Sequence, residues 1–263
     1  LMAAAGLRLL AVARATFKAE KLPDNQHDFD FEFLGLIALE DPIRSDVPAA
    51  IAQCRAAGIR VMMLTGDHPA TAASIGQQVG LYGDGKVITG SELEGLDESQ
   101  LHARLADTSI FCRIHPEQKL RLVQALRAQG EVVAMTGDGV NDAPALKAAD
   151  IGIAMGARGT DVAREAADIV LLNDDFSSIV TAIRHGRRVF ENLRKAIVFV
   201  VAVHVPIVGL SIVPVVFGWP IILMPVHILF LQLIIDPACS IVFEAESAEK
   251  DLMTRKPRSH DQH

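Results

Sequence analysis

The chain has 263 residues, with 25 lysines and arginines against 32 aspartates and glutamates and a net charge of -7, a balance that argues against a nucleic-acid binder. Hydrophobic residues make up 50%, charged residues 22%, and the mean hydropathy is +0.29, which excludes a disordered chain and implies that the apolar surplus is concentrated somewhere. Cys54, Cys112 and Cys239 lie far apart with no CxxC spacing, so neither a disulfide framework nor a cysteine zinc site is expected, and reducing cytosol suits them.

Along the chain, Asp28-Phe29-Asp30 follows Asn25-Gln26-His27 and no apolar strand, so it reads as a polar loop. Short apolar runs then recur at Phe33 to Leu39, Ile59 to Leu64, Val132 to Met135, Ile151 to Ala154 and Ile169 to Leu172, with a further strand ending near Cys112. Amphipathic segments at Val47 to Ala57, Ala70 to Val79 and Pro116 to Gln129 alternate with them. Strand and helix in alternation predict a parallel α/β sheet with helices on both faces. In such a sheet the chemistry collects at the carboxyl ends of the strands.

Three strand ends carry phosphate-type chemistry. Thr65-Gly66-Asp67-His68-Pro69 offers a hydroxyl donor beside a helix N-terminus, although Thr or Asp before a helix is often only a cap. Lys119 falls in the first turn of the helix that starts after His115. The run Thr136-Gly137-Asp138-Gly139-Val140-Asn141-Asp142-Ala143-Pro144 puts two hard carboxylates on one glycine-containing loop. Turn-forming tendency explains two or three of those residues, but a turn needs no second carboxylate. The set suits Mg²⁺, which takes one or two carboxylates and leaves its other positions to water and phosphate. Pro144 opens the next helix near its first turn.

Beyond residue 195 the composition changes. Ala196 to Phe217 contains no Asp, Glu, Lys or Arg, and Ile221 to Phe243 contains only Asp236. Each run is long enough to cross the hydrocarbon layer, and Gly218-Trp219-Pro220 predicts a tight turn between them. Two buried core helices are the alternative, which the lack of a charged face disfavours. Arg184, Arg187, Arg188, Arg194 and Lys195 before the first span, and Lys250, Arg255, Lys256 and Arg258 after the second, predict that both ends face the cytoplasm. Within the spans, Asp236 is an expensive group and thus a functional candidate, with Gln232 one turn earlier and Pro237 beside it. His204 reads as a ligand, a proton-coupled group or a packed histidine, and Pro206 and Pro214 predict kinks.

Together these residues closely resemble the P-type cation ATPases, whose phosphorylation domain belongs to the haloacid-dehalogenase-like superfamily. The resemblance rests on Thr136 to Lys147 (TGDGVNDAPALK), on Asp41-Pro42-Ile43-Arg44, on Thr65-Gly66-Asp67 and on Ile114 to Lys119. It implies a Rossmann-like α/β domain followed by a helical transmembrane hairpin. The implied boundaries are residues 1–20 for the end of a nucleotide-binding domain, 21–190 for the phosphorylation domain, 191–243 for the fifth and sixth transmembrane helices and 244–263 for a polar tail. It also implies that Asp138 coordinates Mg²⁺ with Asn141 and Asp142 shaping that site, that Thr65 and Gly66 hold a phosphate oxygen, and that Lys119 neutralises the phosphoryl group. Asp41, Arg44, Asp67 and Arg113 would lie at the hinge near the nucleotide, ATP.

Two departures qualify the resemblance. The family phosphorylates the aspartate of a DKTGT motif, and no DKTG occurs in these 263 residues, so the chain is expected to be a C-terminal portion of a pump that cannot phosphorylate itself. In the sixth helix of calcium pumps the resembling run is Asn-Leu-Val-Thr-Asp, which here reads Gln232-Leu233-Ile234-Ile235-Asp236. In the fifth helix, His204 and Ile207 stand where calcium pumps have an asparagine and a glutamate. One carboxylate fewer argues against two-calcium transport, although a calcium-type pump is the best single reading of the cargo. The expected partners are ATP, the transported cation, lipid (a bacterial plasma membrane) and the remaining pump domains, with no nucleic acid. The competing readings are a soluble haloacid-dehalogenase-like phosphohydrolase with an apolar tail, which predicts a DxDxT nucleophile near the N-terminus, and a non-catalytic membrane module of a pump.

Overall fold

The computed structural model describes residues 8–16, 25–39, 42–81 and 86–258, with the backbone alone at 8, 9, 26, 236 and 240. The chain divides into two compact units, one of Leu1–Arg55 with Ile59–Ser177 and Arg258–His263, the other of Ala56–Gly58 with Ser178–Pro257.

The first unit begins with an antiparallel ribbon in which β1 (Arg8–Ala15) pairs with β2 (Phe31–Leu39). The register steps from Val12↔Gly35 to Ala13↔Phe33, which leaves Leu34 as a bulge. The run Phe33 to Leu39 is therefore not a parallel strand of the main sheet. Periodicity identifies a strand but not its partner, and β1 is a matching apolar run close enough in sequence to claim it.

The remaining strands are all parallel, as the alternation predicts. β3 (Met63–Leu64), β4 (Val87–Thr89) and β5 (Ile110–Cys112) form a sheet in the order β3-β5-β4. β6 (Ala134–Gly137), β7 (Ile151–Met155) and β8 (Ile169–Leu171) form another in the order β6-β7-β8. β3 is shorter than the run Ile59 to Leu64, because only its last two residues enter the ladder. The helices are α1 (Val47–Ala56), α2 (Pro69–Gln78), α3 (Gly90–Glu94), α4 (Glu98–Asp107), α5 (Pro116–Ala128), α6 (Ala143–Ala148) and α7 (Asp161–Ala166). Reciprocal capping by Thr89 and Glu92, and by Asp97 and Gln100, starts α3 and α4.

Among the apolar clusters that support the sheets, α5 contributes to two. Leu122 belongs to one with Leu93, Leu101, Leu105 and Phe111, and Val123 to the other with Met135, Leu146 and Ala163. Leu64, the last residue of β3, packs against those same two clusters. Leu64, just before Thr65, and Met135, just before Thr136, thus share one of these clusters.

The second unit holds α8 (Ser177–Phe217) and α9 (Pro225–Ala245). Both are long and apolar enough to cross a membrane, with at most 6% of the apolar window buried. Core helices of a soluble protein would be covered. α8 is a single helix of 41 residues that starts well before the apolar run, because Ser177 to Lys195 continues the helical pattern with arginines on its surface. It contains Pro206 and Pro214.

Its end is set by Gly218, which has φ +66° and is followed by a Trp219 N–H donating to the Pro214 carbonyl at 2.7 Å, a closure that any L residue at Gly218 would strain. The turn runs longer than Gly218 to Pro220. Pro225 starts α9 and forces Met224 into an extended conformation, so Ile221 to Met224 stays outside the helix. The base of the hairpin is clamped. Asn192 donates to the Glu246 carbonyl, Lys195 pairs with Glu246 at 2.6 Å and Glu249 at 3.1 Å, and the Phe199 and Phe243 rings meet at 5.8 Å. Arg187 adds donations to the carbonyls of Ala57, Leu252 and Arg255.

Candidate active site at the ends of β3 and β6

β6 delivers Thr136 and Gly137 to the sheet edge, and the chain then turns through a 3-10 segment, Val140–Asp142, into α6. Asp142 folds back under that turn. A Cβ on Gly137 would lie 2.6 Å from the Asp142 Cβ, so only glycine admits this approach.

The Asp142 carboxylate, 9% exposed, accepts from Lys119 Nζ at 2.6 Å and from the Gly139 N–H at 3.3 Å. Lys119 is itself only 19% exposed, so the pair is largely desolvated and each partner depends on the other. Asp138 and Asn141 are exposed at the rim, and the Asp138 carbonyl accepts from the Thr160 N–H at 2.8 Å, which ties the loop to the start of α7.

Beside it, Thr65 is the first residue after β3. Its N–H donates to the Phe111 carbonyl at 2.9 Å and its carbonyl accepts from Ile114 at 3.3 Å, which anchors it to β5 and to the loop that leads into α5. The Thr65 hydroxyl donates to the Asp67 carboxylate at 2.9 Å and accepts from the Asp67 N–H at 3.1 Å. Gly66 and Asp67 are exposed beside it. Arg113, in that connecting loop, has φ +54° and an exposed side chain. For a non-glycine residue this is a strained conformation of the sort that gathers at functional loops.

Arg44 is held by a hydrogen bond to the Asp174 carbonyl. Asp174 is buried with φ +53°, and its carboxylate accepts from the Ala157 and Arg158 N–H groups at 3.0 and 2.9 Å. Sequence reasoning singles out neither this anchor nor Gln118. Gln118 is buried between His115, Gly90 and Glu94, with bonds of 2.9 to 3.0 Å that fix the start of α5 and hence Lys119. An amide three residues after a candidate N-cap is the available signal. Asp41 lies outside the described residues.

Thr65 and Asp138 thus follow β3 and β6, and of the expected site residues Lys119 and Asp142 are brought into direct contact. An exposed carboxylate with a second one behind it fits Mg²⁺ in its usual mode, with most of its shell left to water and phosphate. Among the described residues no three His, Cys, Asp or Glu side chains form a closed cage.

In the hairpin, the Nδ1–H of His204 donates to the Val200 carbonyl at 2.8 Å. Gln232 and Asp236 lie in α9, Gln232 exposed and Asp236 described by its backbone alone.

Comparisons with known proteins agree with this architecture. The family model for haloacid dehalogenase-like hydrolases matches residues 5–150, a second model of that description matches 119–183, and the model for the C-terminus of cation transporting ATPases matches 220–263. A calcium-transporting ATPase of Bacillus subtilis is 41% identical over 98% of this chain, and calcium-transporting ATPase 1 of Bacillus cereus is 39% identical over 98%. The potassium-transporting ATPase alpha chain 2 of Cavia porcellus is 40% identical over 96%. The chain spans 29% of the length of either Bacillus protein and 28% of the Cavia one. A solved structure of a zinc-transporting PIB-type ATPase in its E2.Pi state covers 93% of this chain, and 31% of that structure's own chain is matched, with a TM-score of 0.60 and 29% identity.

Proposed function

Because this chain belongs to the haloacid dehalogenase-like hydrolases and, within them, to the P-type cation-transporting ATPases, we propose that it supplies the magnesium and phosphoryl-handling rim and part of the ion path of an ATP-driven cation pump. The observation that carries the reading is the largely desolvated Lys119–Asp142 pair at 2.6 Å, with Asp142 in the turn that follows Asp138. Phosphoryl transfer asks little covalent work of a protein and much positioning and charge stabilisation.

In this reading Asp138 offers its carboxylate to Mg²⁺, which would draw charge from the phosphoryl oxygens. Asp142, whose oxygens already accept from Lys119 and Gly139, positions that lysine and adds negative charge behind the metal. Lys119 neutralises the phosphoryl group, and Thr65 with Gly66 binds one of its oxygens. Asn141 shapes the loop, and Asp41, Arg44, Asp67 and Arg113 form the nucleotide side of the rim, facing ATP. Residues 1–20, 21–190, 191–243 and 244–263 correspond to the end of a nucleotide domain, the phosphorylation domain, the transmembrane hairpin and a polar tail.

The 263 residues contain no DKTG. β3 and β6 are each terminal strands of their three-stranded sheets; Thr65-Gly66-Asp67 follows the first and Thr136-Gly137-Asp138 closes the second. In this reading the phosphorylated aspartate is not among these residues. Asp236, Gln232 and His204 contribute to the cation path of a calcium-type pump in a bacterial plasma membrane, with both ends of the hairpin in the cytoplasm.

The test is radiophosphate labelling from ATP in membranes that contain only this chain. No acid-stable phosphoprotein is expected. Labelling of this chain by itself would overturn the assignment of its residues to supporting roles.

A further inference from the structure

The parallel strands β6, β7 and β8 end in three loops, and hydrogen bonds lace those loops together in strand order. The loop after β6 carries Asp138, whose carbonyl accepts from the Thr160 N–H at 2.8 Å. Thr160 is the last residue of the loop after β7, residues 156–160, and Asp174 lies in the loop after β8, residues 172–176. The Leu171 carbonyl accepts from the Gly156 N–H at 2.9 Å and from the Asp174 N–H at 3.2 Å, so the second and third loops share one anchor where they leave the sheet.

Asp174 then fastens the middle loop. It is 5% exposed, and its carboxylate oxygens are divided between two successive N–H groups, Oδ1 accepting from Ala157 at 3.0 Å and Oδ2 from Arg158 at 2.9 Å. Arg164, in α7, takes up the carbonyls, its Nη1 donating to Gly156 at 2.8 Å and to Gly159 at 2.7 Å. A loop pinned at both its N–H and its carbonyl groups has little freedom, so the Thr160 N–H reaches Asp138 from a fixed direction.

The backbone of Asp174 has a second task. At φ +53° its carbonyl accepts from Arg44 Nη1. Aspartate and asparagine tolerate this left-handed conformation better than other side chains, so a turn alone would be served equally by the neutral amide or by glycine. Two N–H donors on separate oxygens, however, ask for two acceptors, which the carboxylate has and the amide lacks. Burying a charge here is costly unless its hydrogen bonds are needed.

We infer that Asp174 is a positioning residue for both sides of the phosphoryl rim. Its carboxylate, through the loop at 156–160, sets the backbone of Asp138, and its carbonyl sets Arg44 on the nucleotide side. The inference rests on the reading that Asp138 receives Mg²⁺, and it adds the residue that holds that carboxylate in place.

The test uses this chain in lipid nanodiscs, titrated with Mg²⁺ and followed by the amide signals of Gly139 and Thr160 and the guanidinium signals of Arg44 in nuclear magnetic resonance. Asp174→Asn keeps the left-handed backbone but replaces one acceptor oxygen by a donor. It should weaken Mg²⁺ about fivefold and move the Thr160 amide, with the Arg44 signals unchanged. Asp174→Ala, for which φ is also unfavourable, should weaken Mg²⁺ at least as much and move the Arg44 signals too. Asp97→Ala removes the N-cap of α4 and so lowers stability, yet it should change Mg²⁺ affinity less than about twofold. In the unmutated chain Mg²⁺ should slow exchange of the Ala157, Arg158 and Thr160 amides, a readout that needs no substitution to fold. Unchanged Mg²⁺ affinity in Asp174→Asn, an equal loss in Asp97→Ala, or no slowing at those three amides would overturn the role of Asp174. If Asp138→Asn leaves Mg²⁺ binding unchanged, the metal reading of Asp138 fails instead, and the Thr160 and Arg44 signals of the two Asp174 variants still decide whether that residue holds the rim.

Discussion

At the end of β6, Lys119 and Asp142 are 19% and 9% exposed and satisfy one another at 2.6 Å. In the hairpin, His204 and Ser211 each turn to their own helix for a hydrogen bond. The Lys119–Asp142 pair is thus satisfied within this chain, whereas the two apolar helices present a surface that is largely open. A site whose charges already hold each other can be damaged through stability. A polar group on an open helix surface carries no such penalty.

The largest expected effect follows from removing one partner of the desolvated pair. Lys119→Met should cost about 3 kcal/mol, because it leaves a buried carboxylate uncompensated, and urea unfolding of the α/β unit should show a lower midpoint at unchanged slope. Adding Asp142→Asn should recover part of that loss. A single-mutant cost below about 1 kcal/mol would put the pair with exposed salt bridges and erase the contrast between the two regions.

Gly137→Ala comes next, at about 2 kcal/mol, since its Cβ would sit 2.6 Å from that of Asp142 and the carboxylate must move. The same unfolding assay reads it, together with loss of the tight Lys119 contact. Gly218→Ala should cost about 1 kcal/mol through its φ of +66°, seen as faster amide exchange from Gly218 to Met224 with the α/β unit unchanged.

The smallest effect is on acidification. Hydrogen bonds from the Ser177 hydroxyl and N–H hold the Asp175 carboxyl below its ordinary range, and bonds from Lys195 and Arg255 do the same for Glu249. Groups lowered by folding contribute above their unfolded values and lose that contribution as pH falls through the folded ones. Amide exchange should therefore rise at the start of α8 and around residues 246–255 below about pH 4, ahead of the strands. Uniform exchange across both units would break the comparison.

The parts legible in the sequence are those with short-range chemistry. The run from Thr136 to Pro144 specifies a strand end, a turn and a helix start within nine letters, and the structure forms each. The apolar spans are equally plain, because water leaves no other use for such runs. Pairing is harder to read. Nothing local in Phe33 to Leu39 says that it joins β1, and nothing in Arg187 says that its guanidinium reaches three carbonyls distant in sequence. The start of α8 is hidden for a related reason, since a charged, amphipathic stretch and the apolar stretch after it look like two objects until one helix runs through both.

That continuity has a mechanical consequence. Over its first turns α8 has an unbroken ladder of peptide hydrogen bonds and behaves as a stiff rod, but Pro206 and Pro214 strike two rungs from it, at the carbonyls of Ala202 and Leu210. Bending is therefore concentrated in the stretch that contains His204. Strain applied to the stiff part arrives there as a change in curvature.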